Sequence, residues 1–208
     1  MTAMNGRETE VKFLVENLER IRERLDRSGA VRLQPRILET NLRFDLADGK
    51  HRKAGTALRL RMDSEARLTY KGPGITSENV ISRQEIEFTV GDFESARDFL
   101  VALGYRVVFT YEKYRSVYTL ENVLIMLDEL PFGDFVEVEA GDIGKIKSAT
   151  QSLGLNWKSA IPASYHQLFS RIAESRRIDA ERATFEDYPL GKIEPGELLV
   201  EFADGAEN

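Results

Sequence analysis

The 208-residue chain contains no cysteine. Disulfides and thiolate metal sites are therefore excluded, while the redox compartment stays open, since the absence suits any. Only two histidines occur, His51 and His166, which argues against a histidine-built zinc centre. Any metal has to be held mainly by oxygen, which points to Mg²⁺, Mn²⁺ or Ca²⁺. No apolar run approaches the roughly 18 residues of a membrane helix, and the first residues lack the apolar stretch of a secretory signal. A cytoplasmic location without a membrane partner is expected. Basic charge is not in excess: the net charge is −6, with Lys and Arg interleaved among acids. A nucleic-acid footprint would be net basic and clustered, so no nucleic-acid partner is expected. With 42% hydrophobic and 31% charged residues, the chain has the composition of a folded protein.

What the chain does have is carboxylate at strand spacing. Glu8-Thr9-Glu10-Val11-Lys12, Arg83-Gln84-Glu85-Ile86-Glu87-Phe88 and Phe135-Val136-Glu137-Val138-Glu139 each place two glutamates two residues apart. On a strand such residues share a face. Each pair repels itself unless a metal ion or a cluster of Lys and Arg stands opposite. Basic residues follow the same parity: Arg59 and Arg61, Thr69 and Lys71, Lys113 and Arg115. The residues between them are largely apolar. An ordinary half-buried strand turns its polar face to water. Here that face is charged, in both signs, on strand after strand, which predicts a β-barrel with a charged interior and an apolar outside covered by helices.

The pattern predicts strands at 7–13, 66–71, 82–90, 105–119, 122–128 and 134–140, with two or more extended segments between 31 and 63 and a loop around Asp48-Gly49-Lys50. Helices are predicted at 17–28, at 92–103 capped by Asp92, at 142–153 capped by Asp142, and from about Ser164 to Ser175. The segment 75–81 reads as a loop, and Glu121-Asn122 as a turn. The three acidic strands share a weak repeat of strand, short helix and glycine. Residues 176–208 show little periodicity and read as a weakly ordered C-terminal appendage, in which 197–202 could add a short edge strand.

In their order, these motifs resemble the CYTH superfamily, the triphosphate tunnel metalloenzymes. Glu8, Glu10 and Lys12 stand as its E-x-E-x-K. Leu58-Arg59-Leu60-Arg61 and Leu68-Thr69-Tyr70-Lys71-Gly72-Pro73 look like its basic strands. Arg83, Glu85 and Glu87 match R-x-E-x-E, and Lys113 and Arg115 match K-x-R. Leu127-Asp128 with Gly133-Asp134-Phe135-Val136-Glu137-Val138-Glu139 resembles its late strand pair. Ser164-Tyr165 resembles the C-terminal helix of the class IV adenylyl cyclase-like branch. The resemblance covers about residues 7–172. It implies an α+β fold, an eight-stranded antiparallel β-barrel forming a triphosphate tunnel with helices packed outside, over residues 1–175, with 176–208 appended.

The resemblance also implies the chemistry. Arg59, Arg61, Lys71, Arg83, Lys113 and Arg115 would grip a triphosphate, since Arg forks fit phosphate oxygens and Lys adds point charge. Glu8, Glu10, Asp128, Glu137 and Glu139 would hold Mg²⁺ or Mn²⁺. Lys12, Glu87 and Arg115 are the candidate catalytic groups, with Glu87 positioning metal or water and Glu85 in a salt bridge to an Arg. Taken singly, each strand reads as a solvated sheet face with cross-strand ion pairs. Recurrence of the parity on six strands weighs against that. Arg43 and Arg67 fall outside the motifs and read as solvated or pairing residues. His51 reads as exposed, and His166 as a packing or capping residue. Trp157, Tyr105, Phe109, Tyr111, Tyr114 and Tyr118 read as strand packing. Gly72-Pro73-Gly74 lacks the strand-to-helix context of a phosphate loop and reads as a turn.

Three functions fit: a metal-dependent triphosphatase acting on tripolyphosphate, ATP or thiamine triphosphate; a class IV-type adenylyl cyclase; and a non-catalytic polyphosphate or nucleotide binder. Hydrolysis ranks first, because it needs only the tunnel and water. The binder ranks last, because every charged position of the pattern is filled. A homodimer is compatible with the resemblance. Crowded carboxylates bind metal as anions, so turnover is expected to require a divalent cation and to rise above neutral pH. An acidic optimum without metal dependence, in a pH–rate profile, would count against the site.

Overall fold

The structure is a computed structural model that describes residues 6–187 and 193–205. The parts of the 1–175 and 176–208 expectations that fall on 1–5, 188–192 and 206–208 lie outside the described residues. The main strands are β1 (Arg7–Val15), β2 (Val31–Asp45), β3 (Ala57–Met62), β4 (Ala66–Lys71), β5 (Ile75–Ser77), β6 (Val80–Val90), β7 (Arg106–Leu120), β8 (Val123–Leu130) and β9 (Gly133–Glu139). The helices are α1 (Leu18–Arg27), α2 (Lys50–Ala54), α3 (Phe93–Ala102), α4 (Ile143–Ser152) and α5 (Tyr165–Arg176).

The sheet is antiparallel through the path β1-β9-β8-β7-β2-β3-β4-β6, and β6 pairs back onto β1 with Glu8 opposite Arg83. Eight strands thus form a ring of hydrogen-bonded neighbours with helices outside it, an α+β arrangement. Closure removes the two open edges that such a sheet would otherwise present. The three acidic strands are neighbours in the ring, in the order β6-β1-β9, and the helix that follows each of them (α3, α1 and α4) ends in a glycine with positive φ: Gly104, Gly29 and Gly154.

Outward-facing apolar residues explain the helix layer. Val11, Phe13 and Val15 of β1, Val136 and Val138 of β9, and Ile125 and Leu127 of β8 bury themselves under α1 and α4. Asn17 caps α1 by accepting from the Glu19 and Arg20 amides, and Ile21 and Leu25 on its inner face are fully covered. Leu42, Phe44 and Leu60 pack with Leu100 of α3. Near α5 the inward parity itself turns apolar: Leu14 of β1, Phe135 of β9, Leu130 of β8 and Phe109 of β7 pack with Leu168, Phe169 and Ile172 of α5. Helix α5 starts at a capping box in which Ser164 and Gln167 satisfy each other's backbone amides.

Several expectations need correction. Residues 75–81 form a hairpin, not a loop. β5 pairs with β6 through Glu78 and Asn79, both at positive φ, the backbone that a two-residue turn requires. The loop near Asp48 contains the five-residue α2, flanked by left-handed Gly49 and Gly55 and held by Asp45, which accepts from the Leu46, His51 and Arg52 amides. Such a helix is too short to show periodicity. His51 is half-buried, not exposed: its Nδ1 lies 2.8 Å from Thr56 Oγ1 and its ring stacks on Tyr105.

The described residues after α5 pack on the ring. β10 (Arg182–Ala183) runs parallel to β7. The segment 197–202 is not an edge strand: α6 (Pro195–Leu198) takes its first part, and Phe202 alone bridges to Leu14. Asp204 is buried and accepts from the Glu16 and Asn17 amides at 2.7 and 3.0 Å, at the turn between β1 and α1. Asp204→Ala leaves those amides unpartnered and is expected to cost about 1–2 kcal/mol. An unchanged urea midpoint would show that this contact contributes nothing to stability.

Candidate active site

The period-2 alternation brings the predicted side chains into one cavity of about 340 Å³ inside the ring. β1 contributes Glu8, Glu10 and Lys12. β9 contributes Glu137 and Glu139, and β6 contributes Arg83, Glu85 and Glu87. From the other side come Arg59 and Arg61 of β3, Lys71 of β4, and Lys113 and Arg115 of β7. Of the predicted catalytic, substrate-binding and metal-binding residues, Asp128 alone does not line the cavity. It is fully buried behind the wall.

Asp128 organises one network. Arg115 grips it with two nitrogens, Nε at 2.6 Å and Nη2 at 2.5 Å, and also reaches Glu137. Lys113 Nζ stands 3.0 Å from the same carboxylate, and the Tyr165 hydroxyl donates to it at 2.7 Å. Lys12 meets its register partner Glu137 at 2.5 Å, with its ammonium over the Tyr165 ring. Burial opposes the charge on Lys12, but Glu137 and Glu10 prevail and raise its pKa. Burial likewise opposes ionisation of Glu137, yet Lys12 and Arg115 hold it well below the carboxylate range. Burial and the Asp128 charge push Tyr165 well above its usual value, so it remains a donor.

A second network joins β1, β4 and β6. Glu8 accepts from Lys71 at 2.6 Å and from Arg83 at 2.9 Å, and Arg83 also reaches Glu10 at 2.9 Å. Glu85 pairs with Lys71 at 3.1 Å, which corrects the expected arginine partner. Glu87 accepts from Thr69 at 2.7 Å and from Arg61 at 3.2 Å, with Arg59 at 3.7 Å. Glu39 of β2, which the motifs did not single out, is fully buried between Arg61 and Lys113. Burial opposes its charge, but Lys113, Arg115 and Arg61 hold its pKa down to about 2. Polar residues alternate with apolar ones through Glu39-Thr40-Asn41-Leu42-Arg43-Phe44, a signal that could have placed Glu39 and Arg43 inside.

Glu139 differs. It stands opposite Glu10 in the β1–β9 register, and among the described residues it has no Lys or Arg within ion-pair distance. Burial, followed by the charges of Glu8 and Glu10, pushes it up to about 8. A half-buried carboxylate without a cation, beside two more carboxylates, is an oxygen-only donor set short of positive charge. That fits a hard divalent cation. Glu137 and Asp128 are held by Lys12, Lys113 and Arg115, and Glu8 and Glu10 by Lys71 and Arg83, so those four would give up protein cations to take a metal. Among the described residues, no three carboxylates yet converge as a ready metal site. The cavity also has an apolar side, formed by Leu33, Val117, Leu124 and Met126.

Arg67 pairs with Asp63 at 2.7 Å and with Glu65 at 3.1 Å, as a pairing residue should. Arg43 instead lines the cavity beside His166.

Residues 6–165 match the CYTH domain, and the chain belongs to that family. A "putative adenylate cyclase" of Methanocaldococcus jannaschii is 30% identical over 134 residues, spanning 64% of this chain and 75% of that protein. The PH1012 protein of Pyrococcus horikoshii superposes with a TM-score of 0.66 at 28% identity, covering 76% of this chain and 96% of that one. A "putative adenylate cyclase" of Vibrio parahaemolyticus shares the fold with a TM-score of 0.72 at 21% identity, covering 79% and 99%. No helix among the described residues is long and apolar enough to cross a membrane.

Glu139 makes stability depend on pH. With a folded pKa of about 8 against an ordinary value of 4.5, the folded state keeps a proton that the unfolded state has lost between those values. Stability therefore falls as pH rises through that window. Asp134, pushed up to about 6 by burial and Glu129, acts with the same sign but lower in pH. In chelator, Glu139→Gln is expected to flatten the decline of the urea midpoint from about pH 6 to about pH 8. Identical slopes for variant and parent would refute the role given to Glu139.

Proposed function

We propose that the protein is a divalent-metal-dependent triphosphatase that hydrolyses inorganic tripolyphosphate or an organic triphosphate inside the barrel made by the closed ring. One observation carries this reading: a wall of guanidinium and ammonium groups faces a carboxylate cluster in which Glu139, among the described residues, has no Lys or Arg within ion-pair distance. Residues 1–175 are the functional unit, with 176–208 appended to it. A cytoplasmic location belongs with this reading.

The cations now held by carboxylates would exchange those partners for phosphate oxygens. Arg59, Arg61, Lys71, Arg83, Lys113 and Arg115 bind the chain, with Arg forks taking two oxygens at once. Charge in phosphoryl transfer spreads over the transferred group, so fixed cations around it supply much of the catalysis. Asp128 and Glu137 hold Lys12, Lys113 and Arg115 in place inside the cavity until substrate arrives. Glu87, oriented by Thr69 and Arg61, positions the attacking water. Glu8, Glu10 and Glu139 would hold Mg²⁺ or Mn²⁺, with Asp128 and Glu137 in the neighbouring network. When bound, such an ion neutralises phosphate charge as a Lewis acid.

A second reading is a class IV-type adenylyl cyclase. The apolar side of the cavity favours it, because Leu33, Val117, Leu124 and Met126 can take an organic group, and the name of the M. jannaschii relative points the same way. Cyclisation needs a ribose held in line, whereas hydrolysis needs only water.

Product analysis with ATP and with inorganic tripolyphosphate, each with Mg²⁺ or Mn²⁺, separates the two. Phosphate from tripolyphosphate with little cyclic product is expected, and cyclic AMP with pyrophosphate from ATP would establish the cyclase instead. Glu10→Ala is expected to abolish turnover. Binding without turnover by the unaltered protein would leave only a binding function.

A further inference from the structure

Arg43 is set apart from the other cations of the cavity. Every other Lys or Arg lining it has a carboxylate oxygen within 4.0 Å, from Lys12–Glu137 at 2.5 Å to Arg59–Glu87 at 3.7 Å. Arg43 has none among the described residues. Its side chain meets only a neutral partner: Nη1 lies 3.3 Å from Nδ1 of His166. A guanidinium does not lose its proton inside a protein, so this charge persists in a half-buried place where, among the described residues, no carboxylate lies within ion-pair distance and Asp45 acts on it only from further away. Such a charge costs free energy until an anion reaches it.

The surroundings add to the imbalance. Arg59 is the register partner of Arg43 across β2 and β3, so two guanidiniums project into the cavity side by side. β2 lies four strands from β1 in either direction round the ring, which separates this pair from the carboxylates of β1 and β9. His166 is held by ring stacking on Phe109, with centroids 4.4 Å apart. Burial, then the charges of Arg43 and Arg52, lower its pKa to about 4, so it is neutral at ordinary pH. With Nδ1 accepting from Arg43, its proton sits on Nε2. His166 lines the cavity as well, so the pair offers a guanidinium fork and a ring N–H.

We infer that Arg43, steered by His166 and flanked by Arg59, forms a further phosphate-binding subsite, opposite the β1–β9 carboxylates. This rests on the triphosphate reading of the cavity. Arg43 is the group that touches the phosphate, and His166 is a positioning residue that aims it. The other cations have to leave a carboxylate before they bind. Arg43 has nothing to leave, so its attraction for the incoming anion is not offset by a lost ion pair.

The test is calorimetric binding of inorganic tripolyphosphate to the full chain without metal, together with thermal melts. Arg43→Gln is expected to weaken binding by about tenfold or more, the scale of a charge-assisted hydrogen bond. Its ligand-free melting temperature should be equal to or above that of the parent, because an uncompensated charge has been removed, while the rise produced by tripolyphosphate shrinks. His166→Asn keeps an acceptor for Arg43 and should bind nearly as the parent does, whereas His166→Phe keeps the ring stacking without the acceptor and should bind more weakly. Equal affinity of Arg43→Gln and parent overturns the subsite. Equal loss in both His166 variants overturns the positioning role. If the parent itself fails to bind tripolyphosphate, the triphosphate reading fails, a result distinct from a parent that binds and an Arg43→Gln that binds equally well.

Discussion

The shared grip of Arg115, Lys113 and Tyr165 on the buried Asp128 is the interaction on which the interior depends. Charges taken out of water are tolerated only when each finds a partner and its remaining hydrogen-bonding capacity is used. Asp128 meets that condition by accepting from three residues at once, and Arg115 carries the pairing onward to Glu137 and so to Lys12. Fixed in this way, long flexible side chains become a rigid wall. A cavity lined by loose lysines and arginines would collapse on its own counter-charges or fill with disordered water. Here the counter-charges are built into the wall, and the cations keep their aim with no ligand present.

The order of strands round the ring gives that wall two sides. The neighbours β6, β1 and β9 carry the glutamate pairs, and β7, β2, β3 and β4 carry most of the cations. Among the described residues, ion pairs satisfy most of both sets but leave a remainder at each side: Glu139 with no cation and Arg43 with no carboxylate within ion-pair distance. A ligand with phosphate oxygens at one end and a bound cation at the other would complete both. The pattern of residual charge is therefore more informative than the count of charged residues, which is close to balanced.

Much of this was legible in the sequence because β-strand parity is strict. Once Glu8 faces inward, so do Glu10 and Lys12, and the same logic placed Arg59, Arg61, Lys113, Arg115, Glu137 and Glu139. Helices α1, α3 and α4 were announced by cap residues and terminal glycines. What stayed hidden depended on contacts between distant segments. Asp128 has the inward parity, but only the arrival of Tyr165 and Arg115 shows that it lies behind the wall. Arg43 follows the same alternation as Glu39, yet its lack of a carboxylate can be seen only once every neighbouring strand is in place. α2 and the β5 hairpin were too short to produce a period. The packing of Ala183 and Asp204 rests on contacts with distant segments that no local pattern announces.

The bridge between Leu14 and Phe202, with the Ala203 amide bonded to the Leu14 carbonyl, bears on how the chain is made. Within this sequence β1 precedes every other described strand, yet its partners are β6, then β9, and residues 202–204 after α6. Loop closure over such separations is entropically slow. As the chain lengthens, α1 can cover the apolar face of β1 at once and β6 can pair with its start, but the pairing with β9 and the contacts of residues 202–204 wait until those segments exist. The hairpins β3–β4 and β7–β8, the second closed by two residues at Glu121 and Asn122, need no such delay. Ring closure at β1 therefore follows the local hairpins, an order that a truncated nascent chain would expose as a β1 still open to proteases.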